Sequence, residues 1–171
     1  MTSQQILNSD LKLRCVMSTD CANLAEKGRQ KGWEILSLRP DDLSTSTAST
    51  VSVIEHTLEL IKKSDKKLPN LILLLQLTSP LRNAQHIQQA VETIRNDQTV
   101  DAVVSMRRVK IPPIHTYIKP QNTRFAKPLS NENGDHFLIP NGAIYLIRTD
   151  VFESMKTIFP KNISPLIMND N

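Results

Sequence analysis

The side chains best suited to chemistry in this sequence directly follow an apolar run, Leu71–Leu75. Five apolar residues without polar alternation are typical of a strand covered on both faces of a parallel sheet, so the run predicts the central strand. Gln76, Thr78, Ser79 and Arg82 then supply an amide, two hydroxyls and a guanidinium. Because open α/β sheets bind ligands at the carboxyl ends of their strands, these groups predict a binding site. The alternative is that the amide and hydroxyls only satisfy backbone groups in a tight loop.

A second group of polar side chains surrounds Arg39. Pro40 disfavours a helical conformation of the residue before it, so Arg39 ends the predicted strand Glu34–Leu38. The hydroxyl-rich stretch Ser44–Ser49 precedes apolar residues at helical spacing, which are Val51, Ile54, Leu58 and Ile61. The amino terminus of a helix suits an anion because its free backbone N–H groups point outward.

The rest of the pattern alternates between predicted strands and helices. The strands are predicted at Leu11–Met17, Asp101–Met106 and Asn141–Arg148, and the helices at Cys21–Lys31, from Asn83 to Ile94 and at Asp150–Met155. Asp20 is the predicted N-cap of the first helix. This alternation predicts a three-layer α/β fold with a mainly parallel sheet. The length of 171 residues predicts a single domain, 1–171, interrupted by an irregular excursion at about 107–140.

Composition narrows the function classes. Hydrophobic residues make up 39% and charged residues 22% of the chain, as in a globular protein, and no apolar run approaches the roughly 20 residues of a membrane span. We therefore expect a cytoplasmic protein without a membrane partner, in which Cys15 and Cys21 are reduced. The net charge of +4 is concentrated near Lys62–Lys67, which favours a solvated helix end over nucleic-acid binding. The four histidines are scattered without metal-ligand spacing.

Five segments, taken in order, resemble a known family. They are S-T-D at Ser18–Asp20, L-R-P-D-D-L at Leu38–Leu43, T-A-S-T at Thr47–Thr50, L-L-Q-L-T-S-P-L-R at Leu74–Arg82 and P-N-G-A-I-Y at Pro140–Tyr145. This combination is similar to that of the acylneuraminate cytidylyltransferases, or CMP-sialic acid synthetases. The similarity spans roughly Leu11 to Asp150.

The resemblance implies a Rossmann-like nucleotidyltransferase fold, a homo-oligomer and a reaction that joins CTP to a sialic-type (nonulosonic) sugar acid. The products are the CMP-sugar and pyrophosphate, and Mg²⁺ is the implied cofactor. The resemblance places the nucleotide, CTP or CMP, at Arg39, Ser49 and Thr50. It places the sugar acid at Gln76, Asn141 and Tyr145.

The sequence also departs from the family pattern. Members normally begin with a strand and a phosphate-binding loop and carry a D-x-D motif for the metal, and this sequence shows none of these. At four further positions it differs from the residues that the family usually has, namely at Ser46, Leu77, His115 and Ile139. We therefore assign no catalytic or metal-binding residue and expect the isolated chain to be inactive. Two interpretations stay open: a cytidylyltransferase or part of one, and a non-catalytic remnant or binding subunit. Without the usual first strand, two inner strands would lack a partner, which favours oligomerisation.

Overall fold

The computed structural model describes Ile6, Ser9 and residues 11–76, 78–79, 82–109, 117–118, 127–128 and 137–168. The helices are α1 (Ala22–Gln30), α2 (Thr50–Asp65), α3 (Ala84–Asn96) and α4 (Thr149–Met155), with a 3-10 turn at Asp41–Leu43. The strands are β1 (Leu71–Leu74), β2 (Ala102–Arg108), β3 (Tyr117–Ile118), β4 (Lys127–Pro128), β5 (Leu138–Arg148) and β6 (Ile163–Ile167).

Four of the strands form one mixed sheet in the order β1-β5-β2-β6. β5 runs antiparallel to both β1 and β2, whereas β2 and β6 are parallel, so β1, β2 and β6 all point the same way. Three of the four strands thus share one direction, but two of the three pairings are antiparallel, so the sheet is mixed rather than mainly parallel in its pairing. The predicted α/β class is confirmed, and the reversed strand is β5.

Successive residues of each strand point to opposite sides of the sheet, and helices cover both of these faces. On one face, Val103 and Leu146 pack against the apolar stripe of α3, which consists of Ile87, Ala90, Val91 and Ile94. On the other face, Ala102 and Ile147 pack against Ile54 and Leu58 of α2 and Phe152 of α4. The arrangement gives the three predicted layers.

The apolar run at Leu71–Leu75 was predicted to be the central strand, and this prediction is wrong within the described part of the chain. β1 lies at the edge of the four-stranded sheet and pairs only with β5 there. All four of its side chains are half-buried, in contrast to the fully buried stretch Ala102–Ser105 of β2. The apolar pattern predicts two covered faces correctly, but it carries no information about which neighbouring strands are present.

The predicted strands Leu11–Met17 and Glu34–Leu38 are also not regular strands in the structure. The two segments run parallel and form one isolated bridge, Val16–Glu34, in which the Glu34 N–H donates to Cys15 O at 2.8 Å. No third strand extends this ladder in the described residues, and two strands alone make a weak sheet. The predicted helix that follows begins one residue later, at Ala22, and its N-cap position is Cys21 rather than Asp20.

The predicted excursion at 107–140 is shorter at both ends, because β2 continues to Arg108 and β5 begins at Leu138. Between them the structure describes one short antiparallel pair, β3 with β4. The rest of the excursion, including His115, lies outside the described residues.

The start of α3 carries a histidine whose protonation should matter. Asn83 Oδ1 accepts from the His86 N–H at 2.9 Å, and His86 Nδ1 accepts from the Asn83 N–H at 3.3 Å, which together form a capping box. Only an unprotonated Nδ1 can accept that hydrogen bond. Partial burial lowers the pKa of His86 below its ordinary value of about 6.5.

We therefore expect acid to destabilise this helix start. The unfolded chain binds the His86 proton more readily than the folded chain, so this contribution to stability is lost as the pH falls through about 6.5. In His86→Gln the amide can still complete the capping box and does not titrate. Thermal melts at pH 7.5 and 5.5 should show a smaller acid-induced drop in Tm for His86→Gln than for the wild type. Equal drops would contradict the assignment.

Candidate functional site

A cavity of about 240 Å³ lies at the carboxyl end of β1. Its walls come from the end of β1, the start of α2 and the loop between Arg39 and α2, and its lining residues are Arg39, Leu43, Ser44, Thr45, Ala48, Thr50, Val53, Leu74 and Gln76. Three residues that the sequence assigns to nucleotide or sugar binding, Arg39, Thr50 and Gln76, therefore meet at one place. This is the sheet edge at which ligands bind in open α/β folds.

Arg39 is held in place by contacts on both its backbone and its side chain. Its N–H donates to Thr19 O at 2.8 Å, which ties it to the segment before α1. Its Nε donates to Ser44 Oγ at 3.1 Å, and Ser44 Oγ in turn donates to Pro40 O at 2.9 Å. Its Nη2 lies 3.6 Å from Asp20 Oδ1. The guanidinium is thus a fixed positive charge in the cavity wall and suits a phosphate or carboxylate ligand.

The amino terminus of α2 contributes Thr50 to the cavity lining. Ser49 is the N-cap of α2, and its Oγ accepts from the Ser52 N–H at 3.0 Å. Its Oγ is also hydrogen-bonded to Ser52 Oγ at 2.6 Å, and its side chain is exposed rather than part of the cavity wall. The structure therefore gives Ser49 a capping role, and its predicted contact with a nucleotide stays a prediction.

Gln76 packs against β5 at a position where only glycine fits. Gly142 has a φ of +78°, and a Cβ added to it would lie 3.1 Å from Gln76 Oε1 and 3.7 Å from Ser79 Oγ. The side chain of Gln76 makes no hydrogen bond to another described residue. Its amide is therefore available to a ligand in the cavity that it lines.

Arg82 joins the two segments that carry Gln76 and Gly142. The side chain is 1% exposed, and its Nη1 donates to Ala143 O at 2.7 Å and to Gln76 O at 3.3 Å. Burial lowers the pKa of this guanidinium. An arginine just before a predicted helix is typical of the protein surface. The sequence motif therefore does not predict that Arg82 links β5 to the end of β1.

Asn141 and Tyr145, the other predicted sugar-binding residues, lie on β5 beside the cavity rather than in its lining. Asn141 is half-buried next to Gly142. Tyr145 pairs across the sheet with Leu74, a residue of the cavity wall, and its ring makes an edge contact with Phe159 at a centroid distance of 5.8 Å. Burial raises the pKa of the Tyr145 hydroxyl.

The described residues contain no group of three or more His, Cys, Asp or Glu side chains that could hold a metal ion. The described part of the chain therefore offers no such cluster for the Mg²⁺ that the resemblance implies. In the same residues, no helix is both long enough and apolar enough to cross a membrane.

The structure is similar to that of a CMP:2-keto-3-deoxy-manno-octonic acid synthetase complexed with CTP. The TM-score is 0.66 at 11% sequence identity, and the match covers 98% of this chain and 77% of the other. The chain therefore shares the α/β fold of that structure.

Curated relatives make the assignment more specific. The chain is 28% identical over 162 residues to the CMP-N,N'-diacetyllegionaminic acid synthase of Legionella pneumophila. This match covers 90% of this chain and 68% of that protein. It is 27% identical over 173 residues to the N-acylneuraminate cytidylyltransferase of Escherichia coli, of which it spans 40%, and 26% identical to the post-translational flagellin modification protein B of Campylobacter coli. No family model matches the chain. The predicted resemblance to the acylneuraminate cytidylyltransferases is confirmed by these relatives.

Proposed function

We propose that this chain binds a cytidine nucleotide in the cavity at the end of β1 and a sialic-type sugar acid beside it, as a cytidylyltransferase of the CMP-sugar synthetase type. The observation that carries the proposal is the convergence of Arg39, Thr50 and Gln76 in one cavity of about 240 Å³. Two relatives, one named as a CMP-sugar acid synthase and one as a cytidylyltransferase, support the same class of reaction.

The nucleotide side of the proposal rests on charge and on backbone geometry. Arg39 offers a charge that is already oriented by Ser44 and Asp20, so little side-chain entropy is lost when it meets a phosphate. Thr50 is the first residue of α2, where the helix dipole and free N–H groups favour an anion. Both features stabilise phosphate and neither selects the base.

The sugar acid side rests on amide groups at the junction of β1 and β5. The amide of Gln76 has no hydrogen-bond partner among the described residues, and Gly142 lets the β5 backbone approach it closely. In the proposed reaction a hydroxyl oxygen of the sugar acid bonds to the α-phosphorus of CTP and its proton passes to water, while the bond from that phosphorus to the bridging oxygen breaks and pyrophosphate leaves.

Arg39→Ala should weaken the binding of CMP and CTP by at least about tenfold, because one charge-assisted contact is lost. Calorimetric titration of both nucleotides measures this. Arg29→Ala is the matched control, since Arg29 is an exposed arginine paired with Glu26 on α1, away from the cavity. Unchanged binding in Arg39→Ala, or equal affinity of the wild type for AMP and ATP, would show that the nucleotide assignment is wrong.

Pyrophosphate release separates the two interpretations of the chain. Release from CTP that depends on a nonulosonic acid and is lost in Gln76→Ala identifies an enzyme. Nucleotide binding without release identifies a binding subunit or a remnant.

We also propose that the chain self-associates. β1 lies at the edge of the described four-stranded sheet, and its four residues are all apolar.

A further inference from the structure

The side chain of Asn141 is held in one orientation by two donors. Its Oδ1 accepts from the Ala143 N–H at 3.1 Å and from the Ser105 hydroxyl at 2.6 Å. A backbone N–H can only donate, so the atom that faces it must be the amide oxygen rather than the amide nitrogen. The chemistry of the contact therefore fixes which way round the carboxamide lies.

Ser105 is itself held by the backbone of β5. The Ile144 N–H donates to Ser105 Oγ at 2.7 Å, and the Ser105 side chain is fully buried. Ser105 lies where the β2–β5 register shifts, between Val104 and Met106. Irregularities of this kind re-aim a side chain and are common beside active sites. The single proton of the hydroxyl has two acceptors within reach, Asn141 Oδ1 at 2.6 Å and Ile144 O at 3.2 Å, and the contact to Asn141 is the shorter one.

The amide nitrogen of Asn141 is the part of this arrangement that remains available. Nδ2 makes no hydrogen bond to any described residue, and it is reached by solvent. Asn141 directly precedes Gly142, which packs on the Gln76 side chain at the cavity. One donor group without a partner is thus presented next to the proposed sugar acid site.

We propose that Ser105 is a positioning residue that makes Asn141 a hydrogen-bond donor only, so that this position takes an acceptor oxygen of the sugar acid. The inference rests on the proposed function and adds the polarity of one contact. An amide that was free to turn could present either its oxygen or its nitrogen to a sugar hydroxyl. An amide locked by Ser105 and Ala143 favours a carboxylate or carbonyl oxygen over a hydroxyl proton.

Asn141→Asp tests whether this position must donate a hydrogen bond to the sugar acid, because aspartate has nearly the same shape as asparagine. The inner carboxylate oxygen can still accept from Ser105 and Ala143, whereas the outer donor becomes a charged acceptor. With CTP present, the affinity for N-acetylneuraminic acid should fall at least about tenfold. Ser105→Ala, which leaves only the Ala143 N–H to hold Asn141 Oδ1, should lower it by a smaller factor. Thermal melts establish that each variant is folded.

The double variant Ser105→Ala/Asn141→Asp distinguishes positioning from a merely structural role. If Ser105 acts through Asn141, the double variant should bind N-acetylneuraminic acid no more weakly than Asn141→Asp alone. Additive losses, or wild-type affinity in Ser105→Ala, would overturn the inference. A wild-type chain that binds CTP but shows no shift of the Asn141 side-chain NH₂ resonance with N-acetylneuraminic acid would also overturn it while leaving nucleotide binding intact. Failure to bind CTP would overturn the proposed function itself.

Discussion

Replacing Arg82 with methionine is expected to lower the free energy of unfolding by about 2–4 kcal/mol. Methionine fills much of the same volume but removes the donor to Ala143 O and leaves Gln76 O with only the long contact from the Ser79 N–H at 3.4 Å. Each buried carbonyl left unpaired costs roughly 1–3 kcal/mol. For a chain of this size, such a loss corresponds to a fall in Tm of about 5–15 °C. Denaturant titration and thermal melting measure the change.

Arg148→Met is the matched control for Arg82→Met. Arg148 is also an arginine that donates to carbonyls, to Ile94 O at 2.6 Å and to Val100 O at 2.8 Å. It pairs with Leu71, at the end of β1 away from the cavity. Both variants should lose stability, but only Arg82→Met should also weaken CTP binding, because only Arg82 holds the backbone of Gln76. If both weaken CTP binding equally, Arg82 has no particular role in the site.

Replacing Gly142 with alanine is expected to cost stability and to disturb the site together. A φ of +78° strains any residue with a Cβ by about 1–3 kcal/mol, and the new methyl group would lie 3.1 Å from Gln76 Oε1. The amide of Gln76 in the cavity wall must therefore shift by a few tenths of an ångström. Chemical denaturation should show the loss of stability, and titration with N-acetylneuraminic acid in the presence of CTP should show weaker binding.

Gly32→Ala separates backbone strain from the contact. Gly32 has nearly the same φ, +76°, but no atom lies within 4 Å of the position of its Cβ. The stability difference between the two variants therefore measures the collision with Gln76 and Ser79. In a Gln76→Ala background, part of that difference should disappear, since the collision partner has been shortened. An equal loss of stability for both glycines would show that Gln76 does not press on Gly142.

The periodic parts of the fold could be predicted from the sequence, whereas the neighbours of each strand could not. The helices α2 and α3 bury the stripes that their spacing indicates, because amphipathic periodicity is a local property. The position of β1 at the sheet edge depends on which other segments pair with it. The segments Leu11–Met17 and Glu34–Leu38 have strand composition but do not join the main sheet, for the same reason.

The candidate site shows the same division between local and long-range information. Arg39, Thr50 and Gln76, which line one cavity, each lie at the end of a predicted strand or the start of a predicted helix, so local pattern could single them out. The contacts of Arg82 and Ser105 could not be predicted in this way. Arg82 reaches Ala143 across 61 residues of sequence, and Ser105 reaches Asn141 across 36. Both contacts depend on the register of β5, which no local pattern specifies.

The edge position of β1 in the described sheet has a thermodynamic consequence under the proposed self-association. A strand that adds to such an edge binds the folded state and not the unfolded one, so it would shift the folding equilibrium by mass action. The half-buried side chains Leu71–Leu74 would lose further exposed surface in the same event, which would add apolar burial to the hydrogen bonds gained. The stability of the chain would then depend on its own concentration. Under this proposal, a melting temperature has meaning only together with the amount of chain in solution.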